Sequence, residues 1–235
     1  MLKFLTDNFN FITYGFEIVT ALIAILAYRK YKNSATKYFI YFLVYIVFVE
    51  LVGASFVYFP TFPIISYLRS LGFRSTSWYN LFWMFGSLLF ILHYYSNILK
   101  IRLNVLMIKI LTFLFVFLFL GHVFLNFNAF LKSHSPIYQL LGAFATFICV
   151  SLFFLEFIKR EIVVNAFKTF SFYASAGLFI WWLVITPMLF FDIYNTENDW
   201  DFVNLKRRIF LFTNIFMYTC FAIGLIISKP ELKND

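Results

Sequence analysis

Charge, cysteine and histidine are all scarce in this chain. Of 235 residues only 13% are charged, two are cysteine and three are histidine. So little charge, set against 63% apolar residues with 37 Phe and 15 Tyr, leaves more apolar surface than a soluble domain of this length can bury. Cys149 and Cys220 lie inside apolar segments and are spaced neither as a disulfide framework nor as a metal knuckle, so they read as small packing residues. Three scattered histidines make no His-Glu-x-x-His pair, and no Ser-centred nucleophile elbow or Gly-rich phosphate loop accompanies them. Enzyme signatures are thus mostly absent, no cofactor is implied, and a metal site would need Glu17, Glu50 and His122 folded together. The last apolar block holds no internal lysine, which disfavours a retinal Schiff base.

What the chain does have is seven apolar blocks at 11 to 28, 38 to 59, 79 to 99, 105 to 127, 136 to 158, 166 to 191 and 208 to 228. About 20 helical residues cross a hydrocarbon core of about 30 Å, and without water each span must satisfy its own backbone hydrogen bonds. Barrel strands would alternate apolar and polar residues in shorter segments, which these blocks do not. The fold class expected is therefore all-α: one polytopic membrane domain of seven transmembrane helices. No low-complexity run or internal repeat interrupts it. The first block runs into Tyr28, Arg29 and Lys30 without a small-residue cleavage site, so it reads as a retained span and not a signal peptide.

Basic residues set the expected orientation. One side collects Arg29, Lys30, Lys32, Lys37, Lys100, Arg102, Lys159, Arg160, Lys168, Lys229 and Lys233. The other collects Lys3, Arg69, Arg74, Lys132, Lys206, Arg207 and Arg208, with the acidic residues Asp192, Glu197, Asp199 and Asp201. Basic loops resist translocation, so the richer side is expected in the cytoplasm, with the N-terminus outside and the C-terminus inside a cell inner membrane. The net charge of +8 is split into border clusters and not gathered into one patch, which excludes nucleic acid as the expected partner and favours lipid headgroups. Two connectors on the outer side stand out. Residues 64 to 72 form a candidate interfacial helix, and residues 192 to 207 a candidate acidic and aromatic cap over the bundle mouth, against the plainer and favoured reading of solvated loops whose Trp and Tyr anchor at the headgroups.

Ionisable groups inside spans carry the functional reading, because charge at membrane depth is costly and usually faces protein or a water-filled cavity. Glu17 and Glu50 sit about two turns in from the same border, with His122 in the same half, Asn214 and Thr213 at that level, and Thr186 with the deeper Trp182 on the sixth span. Tyr14, Glu17, Ala21 and Ala24 share one helix face; Glu50, Gly53 and Ala54 another; His122 and Asn126 a third. Small residues beside an acid permit close helix contact, so the acids are expected to face inward. A weaker inner group has His93 and Asn97 on one stripe, read as helix-to-helix hydrogen bonders, and Glu156 beside Lys159 and Arg160, read as a border ion pair. The outer group would line one cavity in which Glu17 and Glu50 bind or titrate, His122 and Asn214 orient, and Trp182 forms the floor. The plainer reading is that each polar group only fixes helix packing.

Residues 37–53 (KYFIYFLVYIVFVELVG) and 79–86 (YNLFWMFG), with the Phe-rich layout, resemble seven-helix inner-membrane proteins of Bacteroidota. That resemblance implies a sensory or accessory role beside a signalling partner or membrane complex, and it transfers no site residue. Small seven-helix vitamin and sugar transporters are a looser likeness, although their paired halves are not visible here. The expectation is a membrane sensor or accessory protein that receives a small ligand or proton. Small-solute or proton-coupled transport, an intramembrane lipid hydrolase, and a structural subunit of a complex stand as alternatives.

Overall fold

A computed structural model describes residues 2–132, 136–159, 167–191 and 200–230. The described residues are helical apart from short turns and a single bridge between Thr169 and Lys229, where Lys229 N–H donates to the Lys168 carbonyl. Seven helices are long and apolar enough to cross a membrane: α1 (Phe9–Tyr31), α2 (Thr36–Tyr58), α3 (Ser75–Ile98), α4 (Arg102–Leu125), α5 (Pro136–Lys159), α6 (Phe170–Phe191) and α7 (Trp200–Ile227). Large apolar side chains cover their outward faces, Leu26 at 82% exposure and Phe113 at 70% among them. In water such a surface would drive association; against acyl chains it costs nothing. The protein is a multi-pass helical membrane protein.

Neighbour relations give the bundle its plan. α1 packs on α2 and α7, α7 on α6, α6 on α5, and α3 on both α2 and α5. Six helices therefore close a ring in the order α1, α2, α3, α5, α6, α7. α4 lies outside that ring against α3 and α5, and only 17% of its span is buried, the least of the seven.

Two features depart from the sequence expectations. α7 begins at Trp200, so residues 200 to 207 are helix and not part of a loop over the mouth. No Gly or Pro interrupts residues 200 to 223, and Asp201 lies in the first turn, where a negative charge complements the helix dipole. The 28-residue helix is about 42 Å long, more than the hydrocarbon core requires. Asp192, Glu197 and Asp199 fall outside the described residues. The second departure is within α3, where residues Tyr79–Gly86 form a π-helix between α-helical Ser75–Trp78 and Ser87–Ile98. The wider turn frees backbone acceptors, and one of them, the Phe82 carbonyl, receives the Tyr45 hydroxyl of α2 at 2.7 Å.

The connector between α2 and α3 folds as the expected short helix, Pro63–Ser70, with Pro63 where a missing N–H is harmless and Gly72 at φ +90 just beyond its end. At the opposite end of the bundle, Tyr31 Oη donates to the carbonyls of Leu225 (3.1 Å) and Ser228 (2.9 Å), and Lys30 Nζ to those of Leu225 and Ile226. A cation and one hydroxyl thus close the C-terminus of α7. Glu156 makes no ion pair with Lys159 among the described residues. Its carboxylate accepts the backbone N–H groups of Lys100 and Ile101 and the Asn104 amide at 3.0 Å, clamping the start of α4 to α5. Arg160 lies outside the described residues.

Candidate functional site

The helix ends nearest the chain's N-terminus enclose a cavity of about 360 Å³, to which each of the six ring helices contributes. Glu17 lies eight residues below the start of α1 and Glu50 eight above the end of α2, so each carboxyl is about 12 Å in from its helix end. Asn10, an exposed residue on the first turn of α1, lines the same space and connects it to the outside of the bundle.

Glu17 sits on a stripe with Thr13, Thr20, Ala21 and Ala24, all buried. The small residues let α1 approach α7 closely enough for Thr20 Oγ1 to donate to the Tyr218 carbonyl at 3.3 Å. Across that contact Tyr218 Oη donates to Glu17 Oε1 at 3.1 Å. Glu17 is only 5% exposed, and its second oxygen, Oε2, has no partner among the described residues. The Thr13 hydroxyl, one turn away on the same face, is also buried without a partner. Both residues line the cavity.

Glu50 is held differently. Tyr79 Oη donates to Glu50 Oε2 at 2.8 Å, with the Trp83 side chain also reaching the carboxylate and Tyr14 reaching the Tyr79 hydroxyl. Gly53 makes the Tyr79 contact possible. A Cβ there would stand 2.6 Å from the Tyr79 ring and hydroxyl, so the absent side chain is the space through which Tyr79 reaches α2. The π-helical stretch spreads Tyr79, Trp83 and Met84 along the cavity wall. Glu17 and Glu50 are near enough to interact electrostatically. Among the described residues no lysine, arginine or histidine lines the cavity.

The floor and far wall are aromatic. Trp181 and Trp182 meet edge to face at 4.8 Å between ring centroids, and Trp181 Nε1 donates to Asn214 Oδ1. Gly142 of α5 leaves room for the tip of the Trp182 ring, 3.2 Å from where a Cβ would lie. Below them a residual void of about 40 Å³ is bordered by Ile46, Leu88 and Ile91. Deeper still, Phe39 packs edge-on against Phe42, Tyr94, Phe170 and Phe221 with centroids 4.9–5.1 Å apart, closing the centre of the bundle.

The structure therefore brings together Glu17, Glu50, Tyr14, Asn214 and Trp182. It leaves His122 outside: the imidazole Nδ1 lies 2.8 Å from Tyr138 Oη, and the two rings meet edge to face. The cause is the peripheral position of α4, whose residues line no part of the cavity. Without His122 the Glu17, Glu50 and His122 metal set is not assembled, and no other metal-holding group occurs among the described residues. Asn126 caps the end of α4 through its backbone, Thr186 and Thr213 bond carbonyls of their own helices, and none of the three lines the cavity. His93 and Asn97 lie toward the other end of α3, where His93 packs edge-on against Tyr38 at 4.5 Å. Among the cavity residues that the sequence reading omitted are Asn10, Thr13, Tyr79, Trp83, Gln139 and Tyr218. Tyr218 had a signal, since it follows Asn214 by one helical turn. A second hollow of about 440 Å³ is lined by Arg69, Gly72, Phe73, Arg74, Ser75 and Leu131, with no acid among the described residues around it. No family model, curated protein or solved structure matches this chain.

Proposed function

We propose that this chain is a binding protein of the inner membrane. Its acid-bearing cavity faces outward, receives a small ligand or a proton, and passes the resulting change of shape to a partner protein at the cytoplasmic side. The observation that carries this reading is the cavity itself, which joins two membrane-depth carboxyls to six helices of the ring. Its volume of about 360 Å³ suits a small molecule, sites for which commonly span about 300–1,000 Å³. The outward aspect rests on the distribution of basic residues, which favours the cytoplasm for the opposite end.

The packed phenylalanines below the cavity favour binding over conduction, because a solute path would have to break the cluster around Phe39. Those same rings bridge α2, α3, α6 and α7, so a shift of the cavity wall has rigid elements to act through. The test uses full-length protein in nanodiscs. Small-molecule and pH titrations followed by tryptophan fluorescence should show a saturable response that is lost in Glu17→Gln and Glu50→Gln and kept in His122→Gln. Identical titrations in all four proteins would leave the acids with a packing role only. Solute uptake into proteoliposomes would replace the sensor reading with transport.

A further inference from the structure

We infer that the occupant of this cavity is a small protonated amine: an ammonium group carrying at least one N–H, on a short apolar body. The inference rests on the binding reading above and specifies its chemistry.

Three independent features of the wall agree on it. The first is charge: two carboxyls line a space on which no basic side chain stands among the described residues, so a bound cation would supply the opposite charge. The second is hydrogen bonding. Glu17 Oε2 and Thr13 Oγ1 are buried, unpartnered and one turn apart, and the carboxylate oxygen can only accept. A ligand that satisfies it must bring a donor, which a tetraalkylammonium, a simple carboxylate or a hydrocarbon lacks. The third is the aromatic surround of Tyr14, Tyr79, Trp83, Trp181, Trp182 and Tyr218. Indole and phenol faces attract a desolvated cation and also shelter an alkyl or aryl body. An anion would meet two acids and the negative faces of these rings. A neutral polar solute would use the acceptors but gain nothing from the charge.

Glu17 and Glu50 are already tethered, by Tyr218 and Tyr79, each through one oxygen. The tyrosines hold the carboxylates in place before a ligand arrives, so less orientational freedom remains to be lost on binding. The free oxygen of Glu17 then fixes where the ammonium sits. Glu50, with Tyr79 and Trp83 on it, acts as the second, longer-range charge.

The probes are butylamine, 1,4-diaminobutane and 2-phenylethylamine, each beside its alcohol of the same shape, with butanoate as the anion. Binding to the full chain in nanodiscs is read from tryptophan fluorescence, since Trp83, Trp181 and Trp182 line the site. At least one amine should bind saturably and roughly tenfold or more tighter than its alcohol, with butanoate silent. Glu17→Gln should weaken the amine by at least roughly tenfold while leaving the alcohol within about twofold, because it removes charge and keeps the shape. Asn10→Trp, which fills the mouth without touching either acid, should block amine and alcohol alike. If alcohols or butanoate bind as well as amines and Asn10→Trp abolishes that binding, the cavity still receives a ligand and the cationic assignment is overturned. Amine binding that survives Glu17→Gln paired with Glu50→Gln also overturns it. If no probe binds saturably, both the amine and the small-ligand reading of the cavity fall.

Discussion

At the scale of single residues, Glu17 is a buried polar group that its neighbours satisfy only in part. One oxygen is satisfied by Tyr218, the other is not, and the side chain sits at membrane depth. Removing only one partner would leave the other orphaned, whereas removing both leaves an apolar contact. Glu17→Leu combined with Tyr218→Phe should therefore keep or raise the unfolding midpoint in detergent, by about 0–2 kcal/mol, while abolishing ligand binding. A loss of more than about 2 kcal/mol would mark the pair as a structural strut instead. Gly53 makes the converse case. Gly53→Ala would push the Tyr79 ring off α2 and should cost about 1–3 kcal/mol along with the Glu50 contact, measured by unfolding titration and ligand affinity together. Glu17 and Glu50 could be found in the sequence because a carboxyl in an apolar block is rare. Tyr79 and Tyr218 could not, since tyrosine is common in membrane helices and only the partner across the bundle distinguishes a tether from an interfacial anchor.

At the scale of elements, the π-helical stretch of α3 and the peripheral placing of α4 decide which side chains share the cavity. The π-helix has no hydropathy signature: residues 79–86 are as apolar as an α-helical stretch would be, and the difference is a one-residue shift in hydrogen-bond register. What holds that register is a neighbour, the Tyr45 hydroxyl on the freed Phe82 carbonyl. Gly86 provides the space, for a Cβ there would stand 2.0 Å from the same hydroxyl. Gly86→Ala should thus cost about 1–3 kcal/mol and disturb binding more than Gly53→Ala does, because it moves the whole wall carrying Tyr79, Trp83 and Met84. Adding Tyr45→Phe should recover only part of that loss, since the ring carbon remains 2.9 Å from the new methyl group. A double-mutant cycle on unfolding midpoints reads the coupling directly. Counting residues put His122 in the same half as the acids, and the expectation that it lines the cavity failed because depth along a helix says nothing about whether that helix belongs to the ring.

At the scale of the molecule, the bundle is held at the end away from the cavity by side chains bonded to backbone acceptors and donors. Tyr31 and Lys30 close α7, and Glu156 binds the start of α4 to α5. Tyr31→Phe should destabilise the bundle by about 1–3 kcal/mol and Glu156→Ala by more, because the carboxylate takes donors from three residues; ligand affinity should change little in either. Thermal unfolding in nanodiscs beside the binding titration separates the two effects. Composition, block length and the spacing of charges were sufficient for seven apolar helices, since the bilayer imposes the same length and backbone pairing on any sequence that crosses it. Periodicity was also sufficient to put small residues beside the acids on one helix face. Which helices close the ring, where α3 widens, and which tyrosine meets which acid were decided only in three dimensions. Lipid imposes no order on apolar faces, so that choice falls to close packing and to a few polar contacts between residues far apart in the chain.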